Sequence, residues 1–85
     1  MGKHTIKVRP NSDGKVPKGF NYNLQLDKEY TVYDTTEEGG WPTFYGMSDS
    51  KKYYFKNGDG CGNHWIMKEH CILNKNILGG KLLWL

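Results

Sequence analysis

The chain contains no alanine. Over 85 residues this absence constrains the fold more than any other feature, because alanine is the best helix former. Its place is taken by 11 Gly, 7 Asn and 6 Tyr, residues that favour turns and strands. A helical bundle is therefore excluded, and short strands joined by Gly-rich turns are expected. The length allows one domain spanning residues 1–85. Hydrophobic residues make up 36% of the chain, which supplies a core with little surplus.

Alternation locates the strands. His4 to Arg9 places Ile6 and Val8 on one face, and Pro10 stops it. Residues 11–20 hold Gly14, Pro17 and Gly19 and read as a loop with a tight turn at Asp13-Gly14. Asn21 to Leu26 alternates again, and Asp27-Lys28 is a short turn. Glu29 to Tyr33 is the strongest strand signal, with Tyr30 and Val32 toward the core and Thr31 and Tyr33 on the opposite face. Residues 34–42 form a polar, Gly-rich loop. Thr43 to Met47 and Lys52 to Lys56 read as strands, separated by a turn at Ser48-Asp49-Ser50. Asn57-Gly58 and Asp59-Gly60 are hairpin signals, after which His64 to Met67 returns as a strand. Lys68 to Cys71 fits one helical turn, Ile72-Leu73 resumes a strand, and Ile77 to Leu85 reads as a last hairpin. Leu24, Leu26, Tyr30, Val32, Phe44 and Ile72 are the expected core, capped by Trp65, Ile66 and Met67.

Two stretches carry a resemblance. Leu24 to Tyr33 (LQLDKEYTVY) is similar to the opening of small bacterial and bacteriophage SH3-like barrels: an apolar residue, a short turn, then a Tyr-x-Val strand. His64 to Leu73 (HWIMKEHCIL) resembles their closing segment. There a Gly-rich hairpin leads into an aromatic-aliphatic strand, a 3₁₀ turn and a short apolar strand. The resemblance implies an all-β, antiparallel SH3-like barrel of five to seven short strands with one 3₁₀ turn near residues 68–71. The segment from Trp41 to Lys56 is longer than a minimal barrel needs, and the tail from Lys75 to Leu85 is extra. The same resemblance implies a protein encoded by a phage or mobile element that binds and modulates a host protein in the host cytoplasm.

Charge permits one other class of partner. The net charge is +3, and of 12 basic residues only Arg9 is arginine, the side chain that reads bases and clamps phosphates bidentately. Lysines spread along the chain more often keep a surface soluble. No run approaches the roughly 18 apolar residues of a membrane span, so no membrane partner is expected. The start Met1-Gly2-Lys3-His4 carries no apolar signal core, which points to a cytoplasmic protein with reduced thiols.

Chemistry-bearing constellations are few. Cys61, His64, His70 and Cys71 give C-x₂-H-x₅-H-C, four donors within 11 residues. The first pair is spaced for zinc, but adjacent His70 and Cys71 point apart and an intervening strand spreads the donors. No metal and no cofactor are expected. Either cysteine beside a histidine could supply a nucleophile, yet a cysteine opening an apolar strand is more often a small core residue. Glu37-Glu38 falls in a solvated loop, and Asp13, Asp49 and Asp59 fall in turns, where they cap the backbone. No enzymatic activity is expected.

The aromatic residues carry the functional expectation. Tyr33, Trp41, Tyr45, Tyr53 and Tyr54 exceed what so small a core can bury, and Tyr53 and Tyr54 must point to opposite faces of their strand. With Lys51, Lys52 and Lys56 nearby, they form a candidate partner-binding surface for a protein. Stacking on a single-stranded nucleic acid is the alternative. Strands packed on both faces beneath long loops would leave little such surface, and the sequence leaves this open. In the tail, six of the nine residues from Ile77 to Leu85 are large and apolar. The tail pairs either with an edge of its own barrel, such as the strand of Ile6 and Val8, or with a second chain, giving a monomer or a homodimer.

Overall fold

The structure, a computed structural model, describes residues 2–19, 23–59, 62–78 and 81–84, with backbone alone from residue 74 onward. Among them lie six strands and two 3₁₀ turns, and no α-helix. The strands are β1 (Lys3–Val8), β2 (Tyr30–Tyr33), β3 (Lys52–Phe55), β4 (Trp65–Met67), β5 (Cys71–Leu78) and β6 (Lys81–Trp84). They lie in the order β4-β3-β2-β1-β5-β6, every pairing antiparallel, and the first five curl into a half-barrel. The Cα radius of gyration is 12.9 Å, against about 12 Å for a compact chain of this length.

Alternation places the core. Ile6 and Val8 of β1, Tyr30 and Val32 of β2, Tyr53 and Phe55 of β3, Ile66 of β4 and Cys71 of β5 are all buried and form one cluster with Leu24. Register keeps them on one face: Ile6 lies opposite Tyr30, Val32 opposite Phe55, and Tyr53 opposite Ile66. Val16, Leu26 and Leu73 pack around its edge. The buried Tyr30 hydroxyl accepts the Gln25 amide at 2.9 Å, so burial leaves it partnered.

The chain crosses from β4 to β5 through the 3₁₀ turn Lys68–His70, as expected. The Arg9 amide donates to the His70 carbonyl at 2.8 Å, and its guanidinium donates to the Cys71 carbonyl at 3.2 Å. These bonds fasten the end of β1 to the start of β5. Asn11 organises the following turn: its side-chain oxygen accepts the amides of Asp13 and Lys15. Gly14 there has φ of +73°, a conformation that favours glycine.

Several expectations fail. Residues 23–26 form no strand, and residues 21 and 22 lie outside the described residues. Leu24 reaches the core from a loop that turns at Asp27, whose φ is +62°. Thr43–Tyr45 is a second 3₁₀ turn instead of a strand. Its bonds are local, Tyr45 N–H to the Pro42 carbonyl and Gly46 N–H to the Thr43 carbonyl, because β2 and β4 already flank β3 and leave no ladder to join. Phe44 is accordingly outside the core. Ile72, opposite Lys7, is only half-buried, and Leu73 takes the core-facing place. At Asp13 the capping group is Asn11, not the aspartate. The last hairpin forms with Ile77 opposite Leu82, but β6 pairs with β5 and not with β1, whose two edges are taken by β2 and β5.

Candidate functional site

Tyr54 explains how the loop between β2 and β3 is used. It points to the face opposite the main core, yet it is only 1% exposed. On that face it lies between Tyr33 of β2 and Trp65 of β4, its direct cross-strand neighbours. The loop covers the row. A methyl group at Gly39 would stand 3.0 Å from the Phe55 carbonyl and 3.4 Å from both the Trp41 and Tyr33 rings. Thr36 is buried as well. The sheet is thus dry on both faces.

Three bonds hold the loop in place. The Trp41 indole N–H donates to the Phe55 carbonyl at 2.6 Å. Thr35 and Glu38 cap one another, since the Thr35 hydroxyl accepts the Glu38 amide and donates to the Glu38 carboxylate. The other Glu38 oxygen accepts the Gly2 amide at 2.9 Å, and His4 Nε2 lies 3.0 Å from the Asp34 carboxylate. The Thr36 hydroxyl accepts the Met47 amide at 2.9 Å and donates to the Tyr45 carbonyl at 3.0 Å. Thr36 therefore ties the start of the loop to the 3₁₀ turn that carries Phe44 and Tyr45.

That turn presents an aromatic surface. Phe44 is 83% exposed, Tyr45 38% and Met47 41%. The rings are contiguous: Phe44 lies 4.8 Å from Tyr45, Tyr45 5.7 Å from Trp41, and His64 packs on Trp41 at 4.5 Å and on Tyr45 at 5.6 Å. Beside them a groove of about 250 Å³ is lined by Trp41, Lys56, Asp59, Asn63 and His64. It continues past Lys56 and Asp59 into a more polar hollow of about 610 Å³ bounded by Gln25, Lys28 and Thr31.

Among the expected site residues, Trp41, Tyr45 and Lys56 come together here, and Tyr33 forms the buried flank. Tyr53 and Tyr54 do not contribute, because both are buried: Tyr53 belongs to the main core and Tyr54 to the second dry face. Burial also pushes both phenols above their ordinary range, with Asp34 and Cys71 adding to the rise at Tyr53 and Asp49 at Tyr54. Lys51 and Lys52 lie at the other end of β3, about 13 Å along the strand from Lys56. Lys52 sits 4.0 Å over the Trp65 ring and 3.8 Å from the Asp49 carboxylate. Asp49 also caps its turn by accepting the Lys51 amide.

Two residues of the surface are absent from the sequence-based set. Phe44 was expected in the core and His64 among metal donors. The Pro42 that precedes the turn, together with Gly46 that follows it, is the signal that a strand is interrupted there.

The donor set C-x₂-H-x₅-H-C is taken apart where it is described. His64 packs on Trp41, whereas the Cys71 thiol lies in the core, donates to the Met67 carbonyl and is pushed up to about 12 by burial. Cys61 lies outside the described residues. Among the described residues no three His, Cys, Asp or Glu side chains are grouped to hold a metal ion, and no helix is long and apolar enough to cross a membrane.

The molecule is a small all-β domain that displays a stacked aromatic cluster at the rim of a groove. No protein family, curated protein or solved structure matches the chain.

Proposed function

We propose that this chain is an SH3-like barrel acting as a non-enzymatic binding module that docks a protein partner on the Phe44, Tyr45, Trp41 and His64 cluster. The observation that carries the reading is Phe44, a large apolar ring held in the open on a turn that the buried Thr36 anchors. A soluble fold gains nothing by fixing such a ring in water, whereas rigid aromatic anchors are what interfaces use. The barrel assignment is supported by the strand order β4-β3-β2-β1-β5 and the 3₁₀ turn joining β4 to β5. A host protein is the partner if the chain is encoded by a phage or mobile element, as the sequence resemblance implies.

Protein is favoured over single-stranded nucleic acid because only Lys56 borders the cluster, and Asp59 lines the same groove. A strand of bases needs several cations along its backbone. The test compares wild type with Phe44→Ser/Tyr45→Ser as bait for bacterial lysate, beside titration of a labelled single-stranded oligonucleotide. A protein retained by wild type and lost by the variant is expected. Phe44→Ser alone should change stability by less than about 0.5 kcal/mol, the range of surface substitutions. Saturable oligonucleotide binding would sink the proposal if its salt slope flattens by roughly 0.7 for each of Lys51, Lys52 and Lys56 replaced by Gln.

A further inference from the structure

The C-terminal ribbon ends the sheet with an open edge. β5 leaves its pairing with β1 at Leu73, and a register irregularity between Asn74 and Asn76 marks where its pairing with β6 begins. β6 meets β5 and, among the described strands, no other to a substantial extent. Two strands alone are marginal in water. Both faces of this ribbon carry apolar residues. Ile77 and Leu82, directly paired, share one face. Leu78 and Leu83, paired with Lys81 and Asn76, share the other. Whichever face turns toward the barrel, the opposite one still needs a cover.

The sequence of β6 suits its own copy. Its free edge offers a row of backbone donors and acceptors, a ready template for another strand. Antiparallel pairing of Lys81–Trp84 with itself, about a two-fold axis between Leu82 and Leu83, sets Lys81 opposite Trp84 and Leu82 opposite Leu83. No like charges face each other, although Lys81 is the only charged residue of the strand. Such a contact is isologous and closes at two chains. We propose that the β6 edge is a homodimer seam, in which two copies join their ribbons into one four-stranded sheet. This surface is separate from the aromatic cluster and does not depend on the function proposed for it.

Sedimentation of the full chain over a range of micromolar concentrations tests the seam, with two paired variants fixing the register. In Leu82→Lys/Leu83→Lys every leucine pair becomes a lysine pair, and Leu82→Glu/Leu83→Glu does the same with glutamates. Wild type should sediment at twice the chain mass, each variant alone at the chain mass, and their equimolar mixture as a one-to-one dimer. If either variant is unfolded alone, the mixture should still recover a folded dimer. A monomeric wild type overturns the proposal, even one that captures some other protein. So does a folded variant that remains dimeric alone, or a mixture that yields no heterodimer.

Discussion

Replacing Thr36 by Val removes one oxygen and keeps the shape of the side chain, which isolates the role of the hydroxyl. That oxygen accepts the Met47 amide at 2.9 Å and donates to the Tyr45 carbonyl at 3.0 Å, with the Met47 carbonyl a more distant acceptor at 3.4 Å. Each good bond contributes about 0.5–1.5 kcal/mol net, so losing two costs about 2 kcal/mol. Met47 is partly exposed, so water can reach its amide and hold the loss near that figure. For a domain this size 1 kcal/mol shifts Tm by roughly 4–8 °C, and Thr36→Val should melt roughly 8–16 °C below wild type. Thr36→Ser keeps the hydroxyl and loses one buried methyl, about 1 kcal/mol, so it should fall between the two. Thermal unfolding followed by circular dichroism gives the order, and hydrogen exchange at the Met47 amide reports the local loosening. A valine variant that melts within the error of wild type, or above the serine variant, would refute the claim that this hydroxyl pins the aromatic turn.

Two further outcomes can be checked by standard methods. Trp41→Phe keeps a ring but loses the bond to the Phe55 carbonyl, and should cost about 1 kcal/mol in denaturant unfolding while weakening partner binding through the displaced cluster. Because burial raises the Cys71 thiol from its ordinary value near 9 to about 12, the folded state holds that proton more tightly than the unfolded chain. Its contribution is complete below pH 9 and is lost as pH rises from 9 toward 12, by up to about 1.4 kcal/mol per pH unit. Urea titrations across that window should show a shallower alkaline decline for Cys71→Val, and peptide mapping should find Cys71 unalkylated in the native protein.

Local patterning carried the strands that have two faces of different chemistry. Ile6 and Val8, and Tyr30 and Val32, alternate with polar residues, and they lie where that period puts them. The turn at Lys68–His70 was legible because it interrupts two apolar segments without a glycine. The second dry face was not legible. The rule that Tyr53 and Tyr54 point opposite ways holds, yet exposure did not follow, because a loop rich in Thr, Glu and Gly folded back over Tyr54. No periodicity announces such a cover: it depends on the Trp41 indole reaching Phe55 across the sheet and on Thr36 finding the Met47 backbone. Phe44 misled for the related reason that a hydrophobic residue in an apolar-looking run reads as core. Its exposure arises from Pro42 and from the lack of a free ladder, which only the assembled sheet defines. The chemistry of the surface was therefore half visible, in Trp41, Tyr45 and Lys56, while its centre was not.

The interior position of β1 sets an order of events when the chain is made. The first strand to leave the ribosome needs neighbours on both edges, and the second of these, β5, pairs Cys71 with Val8 from the far end of the chain. β2, β3 and β4 are linked in sequence and can assemble as they emerge, but the first strand cannot be enclosed until almost the whole polypeptide is free. Closing a loop of that length is slow compared with zipping a hairpin. During synthesis the domain is thus a meander with an uncommitted leading strand, and its Ile6 and Val8 are the apolar side chains that a chaperone would meet first.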